Sequence, residues 1–99
     1  MSTPVLLNAT ATGAGSAFTV QSAPVSIQAT VSGTGAVSAT VVIQVSNDGA
    51  NWITMGTIIL AGTTSNSDGF TAMANWALVR ANLTAVSGTG ATVVVVMNI

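Results

Sequence analysis

From residue 37 to residue 45 the side chains alternate, with Val37, Ala39, Val41, Ile43 and Val45 on one parity and Ser38, Thr40, Val42 and Gln44 on the other. Successive side chains of an extended chain point to opposite faces, so this spacing specifies a strand with one buried side. Residues 25–32 repeat it: Val25, Ile27, Ala29 and Val31 stand against Ser26, Gln28, Thr30 and Ser32. No segment shows helical spacing. Short alternating runs with turn signals every 8 to 12 residues or so predict an all-β chain of about eight strands, an antiparallel β-sandwich or jelly-roll-like barrel.

Glycine provides the punctuation. A first strand is expected over residues 5–11, a turn at Thr12-Gly13-Ala14-Gly15, and a second strand over 16–21 that Ala23-Pro24 closes, because proline cannot continue a ladder from a central position. Gly33-Thr34-Gly35 and Asn47-Asp48-Gly49 read as hairpin turns between alternating runs. Residues 51–60 are apolar on both parities, with Trp52, Ile58 and Leu60 on one and Ile53, Met55 and Ile59 on the other, which predicts a central or doubly covered strand. A long loop is expected over 61–69, a short strand over 70–73, a longer one over 75–85, a turn at Gly88-Thr89-Gly90 and a last strand over 91–99. The sequence Val31-Ser32-Gly33-Thr34-Gly35-Ala36 recurs letter for letter as Val86-Ser87-Gly88-Thr89-Gly90-Ala91. Glycine loops that cradle phosphate open onto a helix N-terminus. Without a helical segment, these repeats read as hairpin turns whose glycines supply positive φ.

Charge narrows the function classes. Asp48, Asp68 and Arg80 are the whole charged inventory of the 99 residues, 3% of the chain, with a net charge of -1; an ordinary domain carries about 25%. Nothing here can neutralise a nucleic-acid backbone. The chain has no Cys and no His, which removes disulfides, thiolate metal sites and most nucleophile and base chemistry. Asp48 and Asp68 both lie in Asp-Gly sequences where Asp is ordinarily a turn former. No catalytic, cofactor-binding or metal-binding residue is therefore assigned, and no enzyme activity is expected. The longest apolar run, Val93-Val94-Val95-Val96-Met97, falls far short of the roughly 20 residues of a spanning helix, so no membrane is expected either. The first eight residues do not resemble a signal peptide. One domain over residues 1–99 is expected.

A surface so poor in charge suits packing against other protein, since free monomers keep themselves soluble with mixed charge. Two places are candidate interfaces. In the 75–85 segment Ala77, Val79, Ala81 and Leu83 share one parity, and Trp76, Leu78 and Arg80 the other. If the aliphatic set forms the core, a tryptophan, a leucine and an arginine gather on an outer face, as at interface hot spots. The opposite arrangement buries Trp76 and Leu78 and pairs Arg80 with Asp48 or Asp68. In the last strand Val94 and Val96 alternate with Val93, Val95 and Met97. Both faces are then apolar, and another subunit is expected to cover one of them.

The turn Asn47-Asp48-Gly49 and Trp52 belong to a longer sequence, Val45-Ser46-Asn47-Asp48-Gly49-Ala50-Asn51-Trp52 followed by Gly56-Thr57-Ile58. It resembles a hairpin found in small virion proteins of tailed bacteriophages, and Trp76-Ala77-Leu78-Val79-Arg80-Ala81 is similar to a strand that often follows it. The turn is also similar to hairpins of sialidase-type propellers, from which it departs by one missing residue, and of discoidin-like carbohydrate modules. The phage resemblance implies that Asp48 orders the turn and Trp52 packs beneath it. It further implies a capsid decoration, or cement, protein that self-associates, for instance as a trimer, and binds across major capsid protein subunits. Such a protein is made in the host cytoplasm and resides in the virion. A glycan-binding tail or fibre adhesin, with Trp52 or Trp76 as platform and Asn66 to Asp68 as hydrogen-bonding loop, is the alternative. A neck or tail component is a third.

Overall fold

The alternating segments all become strands, but fewer and longer ones than their punctuation suggests. The computed structural model describes residues 5–19, 24–73 and 76–98. The strands are β1 (Val5–Ala9), β2 (Gly13–Ala14), β3 (Phe18–Thr19), β4 (Pro24–Ser46), β5 (Ile53–Met73) and β6 (Leu78–Asn98). They make one six-stranded antiparallel sheet in the order β1-β6-β4-β5, with β2 and β3 also paired to β6. The chain is all-β as expected. It has six strands rather than about eight, and the sheet does not close into a barrel, because among the described residues β5 has no partner beyond β4. The expected strand end at Gln21 and strand start at Asn75 lie outside the described residues.

The fewer, longer strands have one cause. Neither Gly33-Thr34-Gly35 nor Gly88-Thr89-Gly90 reverses the chain; each is a corner inside a continuous strand. A straight strand of the 23 residues of β4 would run about 75 Å, yet the longest dimension of the molecule is 39 Å. The long strands must therefore bend. Their corners lie side by side across the sheet: Thr34 of β4 pairs with Thr89 of β6, and Ala36 of β4 with Thr63 of β5, with register shifts at each place. Positive φ appears at Gly35, Gly88 and Gly90, and at Thr64 in the β5 corner. The hexapeptide repeat is thus two corners paired with each other. A Cβ on Gly33 would come 2.9 Å from the Thr89 carbonyl oxygen, and one on Gly88 2.8 Å from that of Ala36. Only glycine lets the two backbones meet so closely. The expected 61–69 loop is likewise absent; those residues belong to β5, and Ser65 to Asp68 pair with Ser32 to Ala29.

The bend folds the sheet over its own inner face. The tip of the Phe70 ring, in the second half of β5, lies 2.8 Å from where a Cβ on Gly56, in the first half, would stand. Both halves of β4 turn their odd-numbered residues inward, so Val25, Ile27, Ala29 and Val31 share one core with Val41, Ile43 and Val45. Leu6 and Leu7 of β1 are both buried because a bulge between Val5 and Leu7 breaks the alternation.

The last strand has one face in the core: β6 lies between β4 and the short strands β1, β2 and β3, Val93, Val95 and Met97 are fully buried, and Val94 and Val96 stand half-buried on the outer face. The strand expected to be central or doubly covered is instead the open edge. Ile59 of β5 is 70% exposed and Ile53 53%. Apolarity on both parities marks a strand for two coverings, and among the described residues only the inner one exists.

Candidate functional site

The turn between β4 and β5 builds itself from four side chains. Ser46, the one buried polar side chain among the described residues, accepts hydrogen bonds at Oγ from the Asp48 and Gly49 N–H groups at 3.2 and 2.9 Å, and donates to Asp48 Oδ1 at 2.9 Å. Asp48 Oδ1 also accepts from the Ala50 and Asn51 N–H groups, and its Oδ2 accepts from the Asn51 side-chain amide, all at 2.9 Å. These donors hold the Asp48 carboxyl well below the ordinary carboxylate range; the Asn51 N–H contributes most, then the Asn51 side chain, the Ala50 N–H and the Ser46 hydroxyl. Asn47 Oδ1 accepts from the Ala77 N–H at 3.0 Å, tying the turn to the approach to β6. Gly49 has φ +76, the left-handed conformation that favours glycine in a tight turn. Both oxygens of Asp48 are engaged in shaping backbone.

Beside this turn the chain's one cation is fixed in place. Arg80 lies with its guanidinium carbon 4.1 Å from the centroid of the Trp52 ring and donates from Nε to Gln44 Oε1 at 2.8 Å. Arg80 thus bonds Gln44 and stacks on Trp52 instead of pairing with Asp48 or Asp68. The register explains it: Arg80 of β6 stands opposite Gln44 of β4, and Gln44 opposite Thr54 of β5, just past Trp52.

The candidate interface residues divide by parity. Val79, Ala81 and Leu83 face the core, while Leu78, Arg80 and Asn82 are half-buried on the outer face. Trp76 does not join that outer set; it precedes β6 and packs against the core, half-buried. Val94 and Val96 are half-buried on the outer face of the other half of the sheet, beside Asn8 and Val5 of β1, the latter 49% exposed. The structure therefore places Arg80 with Leu78, and Val94 with Val96, on two different outer surfaces.

Arg80 lies over one face of the Trp52 ring, and Trp76 packs against the core while remaining half-buried. Asn66 and Asp68 sit in the β4–β5 ladder rather than in a loop. A shallow open concavity of about 550 Å³ lies across the far end of the sheet, lined by Ser26, Gln28, Gly69, Phe70, Val96 and Asn98 among others, and no titratable side chain lines it. Acid–base chemistry has no group to run on there.

Sequence reading passed over Gln44, whose alternation marks only a polar face, and Ile59, whose apolarity suggests burial. Counting partners for each apolar parity would have flagged Ile59. Comparison with protein-family models, curated proteins and solved structures finds no match to this chain.

Proposed function

We propose that this chain is a structural virion protein of a tailed bacteriophage, a capsid decoration protein that binds across neighbouring major capsid protein subunits and associates with itself. The bent sheet is read as the two-layered β-sandwich of such a protein. The observation that carries the proposal is the near absence of charge on two broad outer faces. One presents Ser26, Gln28, Thr30, Ser32, Val94 and Val96, and the other Ser38, Thr40, Val42 and Asn82. Their hydroxyls are partly satisfied in the chain, as in the 2.7 Å bond between Thr30 and Ser67. Such faces lose less by desolvation than charged ones when covered, and the one charge among them, Arg80 beside Asn82, is already held by Gln44 and Trp52. The phage-like hairpin at Asn47, Asp48, Gly49 and Trp52 adds the family resemblance.

The mechanism is additional buried apolar area across joints that the pressure of packaged DNA tends to open. Attachment driven by apolar area is insensitive to salt. The protein is made in the host cytoplasm and ends in the virion, with neither nucleic acid nor membrane as partner. The occupied Trp52 face and the strand at Asn66 to Asp68 disfavour the glycan-binding alternative. Locating the tagged protein on particles by low-resolution imaging tests the proposal: density on the head lattice is expected, and density at the neck, tail or fibre overturns it.

A further inference from the structure

We propose that residues 57–61 of β5 pair, antiparallel and about a two-fold axis, with the same residues of a second copy of this chain. The proposal deepens the self-association within the proposed function and rests on that reading only for its biological setting. An uncovered strand edge is a template for pairing, and proteins blunt such edges with charge, proline, bulges or interruption. The far side of this sheet is blunted by interruption, because β1, β2 and β3 are short and separate and β1 carries a bulge. The opposite edge is 21 continuous residues of β5.

Its second half is guarded. Asp68 stands opposite the buried Ala29, on the inward parity, yet is exposed, and its carboxylate accepts from the Gly69 N–H at 2.8 Å. An inward-pointing charge is one of the devices that discourage edge pairing. Residues 57–61, Thr-Ile-Ile-Leu-Ala, hold no charge, proline or glycine. A register shift beside Met55 bounds them on one side and the Gly62 to Thr64 corner on the other.

The segment is complementary to itself. In an antiparallel register centred on Ile59, Ile58 stands opposite the partner's Leu60, both inward and both buried in their own cores, so the two cores become continuous. Thr57 stands opposite the partner's Ala61, both outward. The two Ile59 side chains meet on the axis, covering the most exposed large apolar side chain among the described residues. The absence of charge over these five residues favours this copy over a charged peptide. A five-residue ladder is small beside the roughly 800 Å² per partner of a stable interface, so the pair is concentration-dependent. It is two-fold, in place of the three-fold association that the phage resemblance suggests.

The test is sedimentation equilibrium on the full chain over a concentration series, with Ile59→Lys and Ile59→Thr checked for native circular dichroism. The wild type is expected to dimerise and both variants to weaken the dimer roughly tenfold or more, from the lost apolar burial and, for lysine, like charges on the axis. The chain has no cysteine, so Ile59→Cys with an added disulfide oxidant should cross-link two copies through a single bond, far faster than Ser26→Cys on an outer face. A wild type that stays monomeric throughout, a dimer that both variants leave intact, or equal cross-linking of the two cysteine variants overturns the pairing. None of these outcomes bears on where the protein sits on a particle, so the two proposals fail separately.

Discussion

Arg80 is held over Trp52, its guanidinium carbon 4.1 Å from the ring centroid, while its Nε donates to Gln44 at 2.8 Å. A planar guanidinium can stack and donate at once; an ammonium does so less well. The stack at a partly exposed site is worth about 0.5–1 kcal/mol and the hydrogen bond about 1 kcal/mol. Arg80→Ala should therefore lower stability by roughly 1–2 kcal/mol, and Arg80→Lys by less. Urea denaturation followed through tryptophan emission measures both, and an Arg80→Ala variant as stable as the parent contradicts the arrangement.

The turn at Asp48 should show itself in acid. Its carboxyl is lowered from an ordinary value of 3.8, so the unfolded chain binds the proton more readily than the folded one. The stability due to this group is present above that value and is lost as pH falls below it. Urea midpoints of the parent should fall between pH 4 and pH 2 or so, and those of Asp48→Asn, lower at neutral pH, should fall less. Parallel curves for the two proteins contradict the assignment.

Ser46 supplies a different kind of support. Its hydroxyl is the acceptor for two N–H groups in a buried position, so Ser46→Ala leaves donors without a partner and should cost about 1–3 kcal/mol. Thermal denaturation at neutral pH reads this loss, and an unchanged midpoint counts against the hydroxyl's role.

The two corner glycines separate strain from crowding. Gly35 has φ +74 with nothing within 4 Å of where a Cβ would stand, whereas Gly88 has φ +123 and its Cβ would meet the Ala36 carbonyl oxygen at 2.8 Å. Gly35→Ala should cost roughly 1–2 kcal/mol from backbone conformation alone. Gly88→Ala should cost more than about 3 kcal/mol, since strain and a backbone clash add. Equal losses in chemical denaturation contradict the paired-corner geometry.

Parity was legible in the residues themselves: Val25 to Val31 and Val37 to Val45 face inward as their alternation requires, and Asn47-Asp48-Gly49 turns the chain between β4 and β5. The meaning of Gly-Thr-Gly was not, because a left-handed glycine serves a reversal and a corner equally well. Which one forms depends on whether the flanking strands pair with each other or run on beside a third strand. Strand position was hidden for a related reason. Residues 51–60 and 91–99 are both apolar on two parities, yet among the described residues, 53–60 lie on an edge and 91–98 belong to a strand flanked on both sides. The Arg80 site was half legible: the alternation puts Leu78 and Arg80 on one face but leaves open which face is outward, and the Trp52 and Gln44 partners come from neighbouring strands.

The cementing role is tested most directly on virions that carry this protein. Particles stripped of it, and the same particles with it added back, should be compared for DNA release on heating. Release at lower temperature from stripped particles, restored by re-addition and unchanged by salt, is the expected result. Stripped particles that retain DNA as well as complete ones contradict it.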